Sequence, residues 1–359
     1  MDIPVKEKYL QQAMRLHRTH PVVDAHLDLA GEILLRMRAG EKNIIRNHYL
    51  SHWKQAGIAL IVSSVYVSNE VIEREGTEGA WQDGLHQLEA LYKDMTDTPE
   101  VIPVRNQIEL ARAVAGEGIG ILVYMEGLDE IGDKLERLEE LYQMGVRGAS
   151  LTWSRKNVLA TGCCKASQHI QISGGLTGLG RAAVKELERL SMFLDVSHLN
   201  DDGFEDVKKA AEKPFCATHS CARTIYDNYR NLTDQQLSYI ASQGGVVGLN
   251  GCKYITGSLS GNHLEMLCRH LEYEMEKVGS VHVGFGFDLC DSYEEARRLL
   301  EKQQGREVVE DEKEDCLMSH GQIPLLTASL LQRGIKEEKM VHVLGESFLQ
   351  YFRKILPKE

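Results

Sequence analysis

In the stretch Val22-Val23-Asp24-Ala25-His26-Leu27-Asp28, two carboxylates and an imidazole recur at every second position of an otherwise apolar run. Alternate side chains of a strand share a face, so Asp24, His26 and Asp28 would line one side while Val23, Ala25 and Leu27 line the other. A polar face on a buried strand needs partners of matching chemistry. Other apolar runs end on the same residue types: Glu126 closes "GILVYME", His198 closes "FLDVSH", His219 closes "PFCATH" and Asp288 closes "VHVGFGFD". Imidazoles and carboxylates in this number suit zinc or a similar divalent cation, and they suffice for two ions. Taken singly, each has a plainer reading: a hydrogen-bonded rim histidine, a Glu126 that caps a helix starting near Leu128, an Asp288 that makes a turn. Independent structural accidents would not place all of them at the ends of such runs. Asp24 is expected to orient a ligand imidazole rather than to bind the ion.

What must position these residues is legible in the apolar patterning. Runs of strand length occupy 22–26, 58–67, 120–126, 146–152, 193–198, 214–219, 244–250 and 281–288. Between them lie stretches such as "LDEIGDKLERLEELYQMG" and "GLGRAAVKELERLS", in which Leu and Ile recur every three or four positions with charges on the other face. Eight strands each followed by helical sequence predict an α/β fold, a (β/α)8 TIM-type barrel, with a doubly wound open sheet as the rival. A TIM barrel typically takes about 250 residues, so 359 leaves room for loop insertions. No Pro- or Ser-rich linker, fixed-period repeat or low-complexity tract interrupts the pattern, and residues 1–359 read as one domain. The charged segment 294–315 is expected to form a helix and a solvated loop over the end of the last strand. In a barrel the carboxyl ends of the strands share one mouth, where active sites of this fold are built. His26, Asp28, Glu126, His198, His219 and Asp288 would therefore converge.

Composition narrows the partners. A formal net charge of -12 argues against nucleic-acid binding, which concentrates Lys and Arg on one face. The amino-terminal "MDIPVKEKYLQQAMRLHRTH" is amphipathic and has no unbroken apolar core of the kind an export signal carries. The stretch "IALIVSSVYV" is too short to cross a bilayer, which needs roughly 20 residues. Of eight cysteines, Cys163 and Cys164 are adjacent and none forms a C-x-x-C pair. The expectation is a soluble, cytoplasmic protein with free thiols, no membrane partner and a small-molecule substrate. Apolar faces on outer helices are compatible with a homodimer.

Read together, "DAHLD", "YMEG", "DVSH", "THSCAR", "RNLTD", "GFGFD" and "LGESFLQYF" resemble, in order and spacing, the membrane dipeptidase (renal dipeptidase) family of amidohydrolase-type barrels, in its soluble bacterial form. The resemblance covers most of the chain. It implies a binuclear zinc site in which His26, Asp28 and Glu126 hold one ion and Glu126 bridges to a second held by His198 and His219. It also implies Arg230 as the clamp for a substrate carboxylate, with Arg223 as the alternative, and Asp288 as the acid/base near the scissile nitrogen. Tyr254 would add a hydroxyl to the carboxylate pocket. The chemistry implied is attack on a dipeptide amide by a metal-bridging hydroxide, possible also with a D-residue on the carboxyl side; the alternative is a related binuclear amidohydrolase acting on N-acyl amino acids or cyclic amides. One departure stands out: family members carry "LTH" where this chain has "LTW", so Trp153 replaces a histidine that supports the oxyanion. An indole donates one hydrogen bond but carries no positive charge. Oxyanion support would then fall to the metals, Trp153, Arg155 or Asn157.

Overall fold

The computed structural model describes residues 4–163, 172–308 and 312–359. Nine strands, all parallel to their neighbours, form one sheet: β1 Val22–Leu27, β2 Ile58–Tyr66, β3 Val101–Pro103, β4 Ile119–Glu126, β5 Val146–Ser150, β6 Phe193–Asp195, β7 Ala217–Ser220, β8 Val247–Leu249 and β9 Val283–Phe285. The order is β6-β5-β4-β2-β1-β9-β8-β7, and a parallel bridge between Asp195 and Cys216 joins the two ends. The result is a nearly closed eight-stranded α/β barrel. All eight expected runs are strands of it. The ninth, β3, pairs only with the start of β4; at three residues ending in Pro103 it is too short to show periodicity.

Strand alternation sorts the core. Val23 and Ala25, Leu60 and Val62, and Leu122 and Tyr124 join Phe193 and the aromatic rings of the helix Ser347–Ile355 in one buried cluster. Ile61, Val65, Ile121, Val123 and Met125, of the opposite parity, join the surrounding helices in the other. One expectation is corrected. Residues 128–135 are turns, and the helix there spans only Glu136–Gln143, so no helix starts near Leu128 for Glu126 to cap. As expected, the segment from 294 supplies a helix, Asp291–Gln303, and an exposed stretch at 304–307 follows it. Ser292 and Arg36 both hydrogen-bond the buried Glu32 carboxylate, at 2.7 and 2.6 Å.

Close strand packing explains two glycines. A Cβ on Gly248 would lie 2.0 Å from the Thr218 carbonyl oxygen, and one on Gly286 only 1.7 Å from the same atom. Backbone cannot yield as a side-chain tip can, so Gly286→Ala is expected to lower the unfolding free energy by about 3 kcal/mol, read as a fall in denaturant midpoint. A midpoint equal to wild type would mean that β7 and β9 approach less closely.

Candidate metal centre and active site

The mouth of the barrel gathers side chains from five strands. Glu126, the last residue of β4, is 3 % exposed, and its Oε1 lies 2.8 Å from His198 Nε2, 3.3 Å from His219 Nε2 and 3.7 Å from His26 Nε2. His26 Nε2 also lies 3.6 Å from Asp28 Oδ1 and 3.4 Å from Asp288 Oδ1. Two ligand-like groups thus share His26: His26, Glu126 and His219 on one side, and His26, Asp28 and Asp288 on the other, each set with its donor atoms within 4.8 Å of one another. His198 completes the first group, its Nε2 2.9 Å from that of His219. That is a little short of the roughly 3.3 Å subtended by two nitrogens bound at about 2.0–2.1 Å to one tetrahedral ion. His26, Asp28, Glu126, His198, His219 and Asp288 therefore meet in one place.

The donors fit a divalent cation. His26 Nε2 is fully buried and has no hydrogen-bond partner, although it points at three carboxylates. A buried polar atom without a partner is costly unless a ligand satisfies it. Burial, and then the positive charge of Arg230 and of His26, holds the pKa of both His198 and His219 well below the ordinary value, so both keep a lone pair for an ion. Burial also opposes charge on His26, but Glu126 and Asp288 beside it prevail and raise its pKa well above the usual range. Burial raises Glu126 strongly, with His26 opposing and Asp28 and Asp288 reinforcing. For Asp288 burial is outweighed by His26, which holds its carboxyl below the usual value.

Asp288 has a left-handed backbone, with φ of 55°. A non-glycine residue adopts this conformation at a cost that functional sites commonly bear. Its N–H donates to the His26 carbonyl at 3.2 Å, and its Oδ2 accepts from Asn250 at 3.0 Å. The carboxylate is thus turned back over β1.

Each imidazole is backed by a hydroxyl at Nδ1: Tyr124 for His26, Thr218 at 2.7 Å for His219, and Ser154 at 2.9 Å for His198. The Ser64 hydroxyl supports Asp28. None of these four was singled out from the sequence. The signal for Tyr124 was available, since a residue two positions before Glu126 on a strand shares its face.

Asp24 is a correction. It orients no ligand imidazole: its Oδ1 accepts from the Phe287 and His26 backbone N–H groups, and its Oδ2 lies 2.8 Å from Nε2 of the buried His320. The register between β1 and β2 shifts between Asp24 and Leu27, so strict alternation fails there and Asp24 and His26 diverge.

Arg230 lies against the cluster, 3 % exposed. Its guanidinium donates to the backbone oxygens of Ser197 and His219 and to Ser220 Oγ, and Nη2 lies 3.2 Å from His198 Nε2. Its Nε is buried without a partner, a donor free for a ligand. Arg223, the alternative, forms a two-pronged pair with Asp201 at 2.8 Å on each arm and is committed to it. Tyr254 is 39 % exposed, and its carbonyl accepts from Asn228, whose Oδ1 in turn holds the Arg230 N–H. The Trp153 ring packs against His198 and Tyr66, with centroids 5.6 and 5.3 Å apart. Arg155 stands over the Trp153 ring and pairs with Asp129 at 3.1 Å. Asn157 is no oxyanion donor: its amide group binds the Leu151 carbonyl and the N–H groups of Leu159 and Ala160.

Known proteins are similar along the whole length. The family model for "Membrane dipeptidase (Peptidase family M19)" matches residues 10–356. "Dipeptidase 3" of Homo sapiens is 26% identical over 361 residues, covering 96% of this chain and 67% of the relative. The Rattus norvegicus protein of that name is likewise 26% identical, over 359 residues. The chain spans about two thirds of the length of these relatives. The crystal structure of a family M19 metallopeptidase, dipeptidase AC, superposes with a TM-score of 0.79 at 25% identity, covering 94% of this chain and 99% of that one. A metallopeptidase from Rhodobacter sphaeroides bound to a phosphinate mimic of the dipeptide L-Ala-D-Ala gives 0.78 at 26% identity, with the same coverage.

Proposed function

Because the chain belongs to the membrane dipeptidase family, peptidase family M19, we propose that it is a binuclear zinc dipeptidase whose two ions are held by His26, Asp28, Glu126, His198 and His219. The observation that carries this reading is the single Glu126 oxygen within 2.8–3.7 Å of three imidazole Nε2 atoms. His26, Asp28 and Glu126 would hold one ion, and Glu126, His198 and His219 the other. Bound there, two divalent cations would polarise the scissile carbonyl and lower the pKa of a water towards about 7, supplying hydroxide at neutral pH.

The remaining steps fall to the chain's own groups. Arg230, anchored by three oxygens and with Nε free, would bind the substrate's terminal carboxylate and so set the amide over the cluster. Tyr254 would border that pocket from the helix Lys253–Thr256. Asp288, an ionised carboxylate aimed at His26, would accept the attacking water's proton at Oδ1 and pass it to the departing amine. Trp153 would cover the His198 side and shut out bulk water. A carboxyl-side D-residue fits this reading because the clamp reads the carboxylate rather than the side chain; the Rhodobacter sphaeroides relative binds a mimic of such a dipeptide.

We read residues 1–359 as one catalytic domain. No helix among the described residues is long and apolar enough to cross a membrane. Cys216, Cys221, Cys252, Cys268, Cys290 and Cys316 are free thiols, in keeping with a cytoplasmic setting; Cys164 lies outside the described residues.

The test compares Ala-Ala and Ala-D-Ala with their N-acetylated forms, before and after chelation. Hydrolysis of the free dipeptides, lost on chelation and restored by added zinc, is the expected result. Preference for the acetylated forms would favour the N-acyl amidohydrolase instead, and unaltered turnover after complete metal removal would end the metal-centre reading.

A further inference from the structure

For Nε2 of a histidine to face a cation with a lone pair, the ring proton must sit on Nδ1. In both His26 and His219 the Nδ1 atom meets a hydroxyl, and that of His219 leads on to a buried carboxylate. Nδ1 of His26 meets the Tyr124 hydroxyl, and Nδ1 of His219 meets Thr218 Oγ1 at 2.7 Å. Thr218 Oγ1 also lies 2.7 Å from Asp195 Oδ2. Asp195, Thr218, Tyr124, His26 and His219 are each 0 % exposed.

Donor and acceptor roles around Thr218 follow from the carboxylate. An ionised carboxylate only accepts, so the one Thr218 hydroxyl proton goes to Asp195. The Thr218 oxygen is then left to accept from His219, and that ring must carry its proton on Nδ1.

We propose that Asp195, acting through Thr218, is a positioning residue that fixes the tautomer of His219, so that a buried carboxylate leaves the lone pair of His219 Nε2 facing the cation. This rests on the binuclear reading above and adds its internal support.

Asp195→Asn isolates the effect. Asp195 Oδ1 accepts from the Ser197 N–H, the Ser197 hydroxyl and the Thr218 N–H at 2.6–3.0 Å. An asparagine must keep its carbonyl oxygen there, which forces its NH2 towards Thr218 Oγ1. The NH2 would donate where the carboxylate accepted, Thr218 would turn its proton to His219 Nδ1, and that ring would shift its own proton to Nε2. A wrong tautomer with intact geometry is the known consequence of such an exchange behind a catalytic imidazole.

The experiment measures zinc affinity of the full chain by competition with a chromophoric chelator, and the His219 tautomer in the metal-free protein by nitrogen-15 NMR. Asp195→Asn is expected to weaken zinc binding roughly 10–100-fold and to move the His219 proton to Nε2, while Thr218→Ser, which keeps the hydroxyl, behaves as wild type. Wild-type affinity and tautomer in Asp195→Asn would overturn the proposal. Should that variant fail to fold, Thr218→Val reads the same link: weaker zinc binding with the His219 proton moved from Nδ1 supports the proposal, and wild-type affinity and tautomer overturn it. A wild-type chain that takes up no zinc would overturn the binuclear reading itself, and this proposal with it.

Discussion

Glu126→Gln is expected to lose the binuclear centre and nearly all dipeptide hydrolysis, with zinc affinity falling by more than the roughly 10–100-fold that loss of an outer partner of a ligand costs. The substitution keeps the volume of a side chain that is 3 % exposed, so packing around β4 is preserved. It removes a negative charge facing three imidazoles and sets an amide that can offer only one oxygen and two N–H donors where a carboxylate accepted from all sides. Neither His198 nor His219 supplies a replacement charge, since burial and Arg230 keep both neutral. Metal analysis after dialysis, with hydrolysis of Ala-Ala on the same sample, checks this. A variant that retained two ions per chain and wild-type turnover would show that Glu126 does not bridge.

Arg230→Lys is expected to keep both ions but lower kcat/KM on dipeptides about 10–100-fold, chiefly through KM. A lysine presents a single point charge and has no Nε–H to offer the ligand, and a charge-assisted hydrogen bond of this kind is worth about 1.5–3 kcal/mol. Lysine also cannot make the three anchoring bonds to Ser197, Ser220 and His219 while reaching a ligand. Dipeptide amides, which lack the terminal carboxylate, supply the control: wild type and variant should hydrolyse them alike. Equal kcat/KM on free dipeptides would refute the clamp.

The barrel was legible because its strands are buried on both sides and so read as apolar runs, each bounded by a helical stretch of different period. β3, three residues long, left no such trace. The cluster was legible for a related reason: a charged or imidazole side chain at the end of an apolar run has nowhere to go but the mouth of the barrel. The same reasoning misled at Asp24, because a register shift that depends on how β1 meets β2 is not visible in β1 alone. The hydroxyls behind the imidazoles also went unremarked. Tyr124, Ser154 and Thr218 are common residue types in strands and loops; strand alternation puts Tyr124 on the face of Glu126, but only the folded contacts with Nδ1 atoms mark the three as supports. The stretch "RNLTD" shows how one motif mixes purposes. Arg230 faces the cluster, Asn231 binds the carbonyls of Tyr226 and Ile255, and Thr233 caps the helix Asp234–Ser242 in a capping box with Gln236.

The most direct test of a shared two-ion centre is anomalous diffraction at the zinc edge from crystals of the metal-loaded protein. Two peaks within about 3.5–4 Å of each other are predicted, with the Glu126 carboxylate between them, His26 and Asp28 on one and His198 and His219 on the other. A single peak, or peaks away from Glu126, would contradict the account.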